Sequence, residues 1–160
     1  MSGKQRFAAI AIALAVPILG MTALASPAMA VPNGYFKLVS EAATGGCVES
    51  DGSAVVLVSS CGPNYSSAEL WVAGEGDSNE ISNDATGACL SITGTDAGVY
   101  LNGCDPGASA QEWIPSGGEY GILLKNNHTH YCLWQSNSSL QQRSDCDTSS
   151  VHDQWSEIPE

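Results

Sequence analysis

The stretch CDPGASAQEW, Cys104 to Trp113, sets turn-forming and small polar residues between a cysteine and a tryptophan. The arrangement occurs twice more, as CGPNYSSAELW from Cys61 to Trp71 and as CDTSSVHDQW from Cys146 to Trp155. A second set of cysteines keeps the same phase. Cys47, Cys89 and Cys132 are spaced by 42 and 43 residues, Cys61, Cys104 and Cys146 by 43 and 42, and the three tryptophans by 42 and 42. Shorter words recur ahead of the first cysteines: ATGGC at Ala43–Cys47, ATGAC at Ala85–Cys89, and the looser HTHYC at His128–Cys132.

Self-similarity at a period of about 20–50 residues points to stacked or closed repeats. A solenoid needs atypical capping units, and three copies take up nearly all of the chain after its first thirty residues. A propeller needs at least about four blades. A three-fold, self-closing body remains. Its repeats fall roughly at 35–79, 80–121 and 122–160.

Local signals within each unit are β. Ala54-Val55-Val56-Leu57-Val58 and Gly98-Val99-Tyr100-Leu101 are short β-branched or aromatic runs bounded by Gly, Ser and Asn. Asp51-Gly52 and Asn102-Gly103 supply turn punctuation. No window sustains the i, i+3, i+4, i+7 spacing of an amphipathic helix. The expectation is an all-β domain with about four short strands per unit. One unit has no second layer to cover its apolar face, so the three faces must meet on a common axis. Trp71, Trp113 and Trp155 are the obvious bulk for that core, each worth roughly 1.5–3 kcal/mol when buried.

The first thirty residues read separately. Lys4 and Arg6 precede an apolar run from Phe7 to about Ala25, and Ala28-Met29-Ala30 is a small-x-small cleavage site. This predicts a signal peptide over 1–30 and a secreted, extracellular protein with no membrane attachment after cleavage. From Val31 onward all 17 acidic residues face only Lys37, Lys125 and Arg143, a formal charge of 3 − 17 = −14. So negative a surface repels phosphate backbones and anionic lipids, which argues against nucleic-acid and membrane-surface partners. Six cysteines in an exported chain predict a disulfide framework. Of the 15 connectivities six cysteines allow, pairing within each unit is the simplest that respects the repeat. It gives Cys47–Cys61, Cys89–Cys104 and Cys132–Cys146, each closing a loop of about 15 residues. Thiols 14 or 15 apart without a C-x-x-C pair are not zinc spacing.

The unit C-[VL]-x…C-x(6–7)-[QED]-x-W, three times over essentially the whole chain after residue 30, resembles the ricin-type β-trefoil lectin domain with its Q-x-W word. Its best single word is Gln111-Glu112-Trp113; the other units read Glu69-Leu70-Trp71 and Asp153-Gln154-Trp155. The resemblance implies a β-trefoil, a six-stranded barrel capped by three hairpins, with one shallow sugar pocket possible per lobe and no chemistry performed. In that family the pocket uses an Asp two residues after the first cysteine and a Gln four before the second. An aromatic ring stands two before the second cysteine, and an Asn-Gln pair just ahead of the Trp. A hexose offers vicinal hydroxyls to the polar groups and an apolar face to the ring.

Carried onto this sequence, those places hold Glu49, Leu57, Ser59, Ala68 and Glu69 in the first unit. The second has Ser91, Tyr100, Asn102, Ala110 and Gln111, and the third Trp134, Gln142, Ser144, His152 and Asp153. No lobe keeps both the acid and the ring. The candidate sugar contacts are Tyr100, Asn102 and Gln111 in the second lobe, Trp134 and Gln142 in the third, and Glu49 in the first. Strand alternation puts Tyr100 and Asn102 on one face and Val99 and Leu101 on the other. The same count places Gln141 and Arg143 where a core face belongs, so that strand is exposed or its register differs.

Nothing assembles for catalysis: there is no G-x-S-x-G, no H-E-x-x-H and no cysteine to spare as a nucleophile. His128 and His130 would share one strand face but lack a third ligand, so no metal site and no cofactor is expected. The reading is a secreted, non-catalytic carbohydrate-binding trefoil with weak or altered glycan specificity. Its alternative is a protein-binding module, such as an adaptor, inhibitor or subunit of a secreted assembly, so the expected partner is a glycan or a secreted protein.

Overall fold

The computed structural model describes residues 34–42, 46–59, 61–62, 66–74, 79–94 and 98–159; the expected signal peptide lies outside them. Twelve strands and one three-residue 3-10 turn (Val151–Asp153) run through these residues, four strands per repeat. The first repeat carries β1 (Tyr35–Ser40), β2 (Cys47–Asp51), β3 (Ala54–Val58) and β4 (Leu70–Ala73). The second carries β5 (Ile81–Asn83), β6 (Ala88–Ile92), β7 (Val99–Gly103) and β8 (Trp113–Gly117). The third carries β9 (Ile122–Asn126), β10 (Cys132–Ser136), β11 (Ser139–Arg143) and β12 (Gln154–Pro159).

The outer strands of each repeat close a six-membered ring in the order β1–β4–β5–β8–β9–β12 and back to β1. The β5–β8 step is the thinnest, one bridge between Glu80 and Glu112 plus a 2.8 Å bond from the Trp113 N–H to the Asn79 carbonyl. The inner strands form three hairpins, β2–β3, β6–β7 and β10–β11. Each hairpin tip touches the second strand of another. The Leu101 N–H reaches Ser53 O at 3.0 Å, the Leu57 N–H reaches Ser138 O at 3.2 Å, and the Gln142 amide donates to Gly94 O. The cap is therefore a closed triangle, and the whole is a β-trefoil.

Its centre repeats the sequence landmarks. Trp71, Trp113 and Trp155 are all 0 % exposed. Each indole N–H donates to the carbonyl of the residue after a first cysteine: Trp71 to Val48 (2.9 Å), Trp113 to Leu90 (2.9 Å) and Trp155 to Leu133 (3.2 Å). A buried indole needs such a partner, and the bond fixes each ring against the base of its own hairpin. Cys47–Cys61, Cys89–Cys104 and Cys132–Cys146 are the disulfides, one per repeat as the repeat predicted.

The turns after β5 and β9 are also equivalent. Asn83 and Asn126 are buried, and each amide spans two carbonyls while its oxygen caps the following turn. His128 and His130, expected on one strand face, instead lie in the second of these turns. His130 (φ 62°) occupies the left-handed position that Gly87 (φ 62°) fills one repeat earlier.

One core position breaks the symmetry. Two residues after each core tryptophan stand Ala73, Pro115 and Glu157. Glu157 pairs across the sheet with the fully buried Leu38, and its Oε1 is buried with no hydrogen-bond partner. Burial pushes this carboxyl from 4.5 up to about 7. Between those two values the folded protein holds a proton that the unfolded chain has released. The stabilisation is thus full below about pH 4.5 and is lost as pH rises to about 7. Burial likewise raises the Asp153 carboxyl, so its contribution has the same sign. Because Glu157 is only part-buried, the effect is discounted to about 1 kcal/mol, or a few degrees of melting temperature. Glu157→Gln is expected to melt higher than the parent at pH 8 and to flatten its decline between pH 4.5 and 7. Parallel melting curves across that range would remove Glu157 as the cause.

Candidate functional site

The Q-x-W position is structural in every repeat. Gln111 is 2 % exposed; its Nε2 donates to Gly103 O (2.9 Å) and its Oε1 accepts from the Asp105 N–H (2.8 Å). Glu69 accepts from the Gly62 N–H (3.1 Å), while Lys37 donates to Gly62 O (2.9 Å) and pairs with Glu69 at 3.2 Å. Asp153 accepts from the Asp147 N–H (2.9 Å). In all three the side chain holds the N–H of the residue after the second cysteine, which seats the disulfide loop. Gln111, expected as a sugar contact, spends both ends of its amide on this loop and does not reach the surface.

Strand register relocates the pocket positions. Cys47 faces Val58, Cys89 faces Asn102 and Cys132 faces Arg143. Two residues along, Glu49 faces Val56, Ser91 faces Tyr100 and Trp134 faces Gln141. Counting back from the second cysteine finds Tyr100 and Asn102 correctly in the second repeat. In the first and third repeats it is off by one, because these carry one more residue between strand and cysteine. Val56 and Val58 therefore replace Leu57 and Ser59, and Gln141 and Arg143 replace Gln142 and Ser144.

Gln142, expected beside Trp134, sits on the opposite face, paired with the fully buried Leu133. Its amide accepts from Thr129 Oγ1 at 2.7 Å and donates to Gly94 O, tying the tip of another hairpin to the third repeat. Of the two alternatives left open for β11, it is the register that differs, and Gln141 and Arg143 face out.

The third repeat thus gathers Trp134, Gln141, Arg143 and His152 at four of the five places where the family builds a pocket; the fifth, Asp153, is buried under the disulfide loop. Trp134 is half-buried, and its indole N–H is without a hydrogen-bond partner. The Arg143 guanidinium carbon lies 5.4 Å from the centre of its ring, in the outer part of the cation–π range. The His152 ring is 6.4 Å away and tilted by 55°. Arg143 Nε also meets Asp145 at 2.5 Å, with both side chains about half exposed (46 % and 55 %). Such an exposed pair is worth little and exchanges readily. Chemically this is an amphipathic platform with donors along its rim: the ring accepts an apolar face, and Gln141, Arg143 and His152 reach for oxygens.

The other lobes are plainer. Tyr100 and Asn102 share the outward face of β7, as alternation required, with Val99 and Leu101 buried behind. The Tyr100 hydroxyl donates to Ile92 O at 3.4 Å, and the neighbouring Ser91 is buried. Glu49 is half-buried opposite Val56, where the second lobe has Tyr100. Among the described residues no group of three or more His, Cys, Asp or Glu is placed to hold a metal ion.

Comparison with known proteins agrees with this geometry. No curated protein matches the chain at a significant level. Among solved structures, a designed three-fold symmetric protein, ThreeFoil, superposes with a TM-score of 0.66 at 21 % identity, covering 80 % of this chain and 100 % of its own. A Macrolepiota procera ricin B-like lectin in complex with lactose gives 0.66 at 17 % identity, covering 82 % and 100 %. An endo-β-galactosidase from Clostridium perfringens gives 0.68 at 15 % identity; the match covers 79 % of this chain but 32 % of the enzyme's. At these identities the likeness is one of fold. The model of the ricin-type β-trefoil lectin domain matches residues 34–155, and the chain belongs to that family.

Proposed function

We propose that the protein is an exported, non-catalytic carbohydrate-binding module whose principal pocket is the Trp134–Gln141–Arg143–His152 platform of the third lobe. The observation that carries this reading concerns tryptophan. The chain has four, and Trp71, Trp113 and Trp155 are sealed in the core, whereas Trp134 is only half-buried, its indole nitrogen covered but unpartnered, at a family pocket position opposite an amide side chain. A large aromatic at the surface is tolerated where it has something to stack on. The platform lacks the family's acid, so specificity differs from that of lectins that hold vicinal hydroxyls on a carboxylate, and a single shallow principal site gives weak affinity, on the order of millimolar. The second lobe, with Tyr100 and Asn102, is an auxiliary site.

Intrinsic fluorescence tests the assignment, since only Trp134 is open to ligand and quencher. Titration with mono- and disaccharides is expected to change the emission and to protect it from acrylamide. Trp134→Ala, which removes the reporter and is therefore followed by isothermal titration calorimetry, is expected to weaken binding at least 10-fold while the melting point stays within a few degrees. Silence toward all sugars at millimolar concentration would contradict the proposal and favour a protein partner instead.

A further inference from the structure

Resting on that reading, we infer that the third-lobe pocket selects saccharides carrying a carboxylate, such as a hexuronate, with the Arg143 guanidinium as the discriminating group. The three lobes present matching strand positions but differ in charge. Opposite one another stand Glu49 and Val56 in the first lobe, Ser91 and Tyr100 in the second, Trp134 and Gln141 in the third. Facing the first cysteine are Val58, Asn102 and Arg143. The third lobe has thus lost the acceptor that would take sugar hydroxyls and gained a cation.

That cation is unusual in so acidic a molecule. Of the three from Val31 onward, Lys37 is buried against Glu69 and Lys125 is half-buried in β9; only Arg143 is exposed. Its guanidinium lies over the Trp134 ring, 5.4 Å from the ring centre, so a sugar packed on the part of the ring it leaves uncovered brings an attached carboxylate within reach of the guanidinium for two parallel bonds. Asp145 meets the guanidinium at Nε, which leaves the edge formed by the two terminal nitrogens as the one for a ligand carboxylate to take. The Asp145 contact shows that the guanidinium accepts a carboxylate in this position, and as an exposed pair it yields to a competing one. Asp145 touches the guanidinium, and Asp147 and Asp153 lie close enough to couple to it, so an anionic ligand must displace or compete with these neighbouring carboxylates; the acids farther off are screened by physiological salt beyond about 8 Å.

The test compares galacturonic acid, its methyl ester and galactose by Trp134 fluorescence at pH 7. The three share a ring; only the first is charged. The parent protein is expected to bind the free acid at least 5-fold more tightly than either neutral sugar, with the preference shrinking as salt is raised. In Arg143→Gln the ratio of acid to ester affinity is expected to fall to about one, and Arg143→Lys, which keeps the charge but loses the fork, to give an intermediate ratio. Circular dichroism melts verify that the variants are folded; the ester comparison on the parent needs no variant. Equal affinity for acid and ester, or a preference that survives Arg143→Gln, would overturn the inference while leaving sugar binding intact. Silence toward all three sugars would overturn it together with the proposed function.

Discussion

Trp113→Ala is expected to lower the melting temperature by about 10–20 °C. The side chain is 0 % exposed, and large-to-small changes of buried aromatics cost about 3–5 kcal/mol through lost transfer energy and the cavity left behind. The loss also strands the Leu90 carbonyl, which the indole N–H satisfies at 2.9 Å, at the base of the second hairpin. Against a total stability of about 5–15 kcal/mol this is a large fraction. Trp71 and Trp155 occupy the same environment, each buried and bonded to the matching carbonyl, so Trp71→Ala and Trp155→Ala are expected to match it within about 1 kcal/mol. Trp113→Phe keeps most of the ring and is expected to cost about 1–2 kcal/mol, the worth of the stranded carbonyl. Thermal melts followed by near-ultraviolet circular dichroism check all four. A Trp113→Ala protein melting within 3 °C of the parent would contradict the core as described.

The second large effect is covalent. Replacing Cys89 and Cys104 together by alanine is expected to cost about 3 kcal/mol, chiefly by freeing the unfolded chain. The native loop should keep its course, because Gln111 still holds Gly103 and Asp105 from the other side. The three bridges join residues 14, 15 and 14 apart, so the three double alanine variants are expected to be destabilised equally within a few tenths of a kcal/mol. Urea unfolding of the set is the measurement. A bridge whose loss costs nothing, or one whose loss alone unfolds the domain, would show that the lobes do not share the load.

The fold was legible because its landmarks are tied to the chain at fixed intervals. A core tryptophan and a disulfide tolerate little drift, so period, strand number and cysteine pairing could all be read from spacing. The pocket was less legible because its positions depend on hairpin register. Cys47 and Cys132 face residues 11 further on, Val58 and Arg143, whereas Cys89 faces Asn102, 13 further on. A longer turn between β6 and β7 offsets a shorter run from β7 to Cys104, so the cysteine separations differ by only one. The overall spacing therefore concealed two compensating changes. The trace of the error was visible: Gln141 and Arg143 stood where apolar residues belonged. Gln111 misled for another reason. A conspicuous amide beside a tryptophan fits a sugar or a buried turn equally well, and only its 2 % exposure decides for the turn.

On the proposed function, one tryptophan of four faces a ligand. Nitrogen–proton correlation spectra resolve each indole N–H separately. Three should be slow to exchange, being bonded to the carbonyls of Val48, Leu90 and Leu133, and should stay in place as saccharide is added. The fourth, from Trp134, has no partner and should move, together with the backbone signals of Gln141, Arg143 and His152. A fourth indole signal that stays fixed at millimolar sugar, or shifts confined to the first or second lobe, would contradict the account.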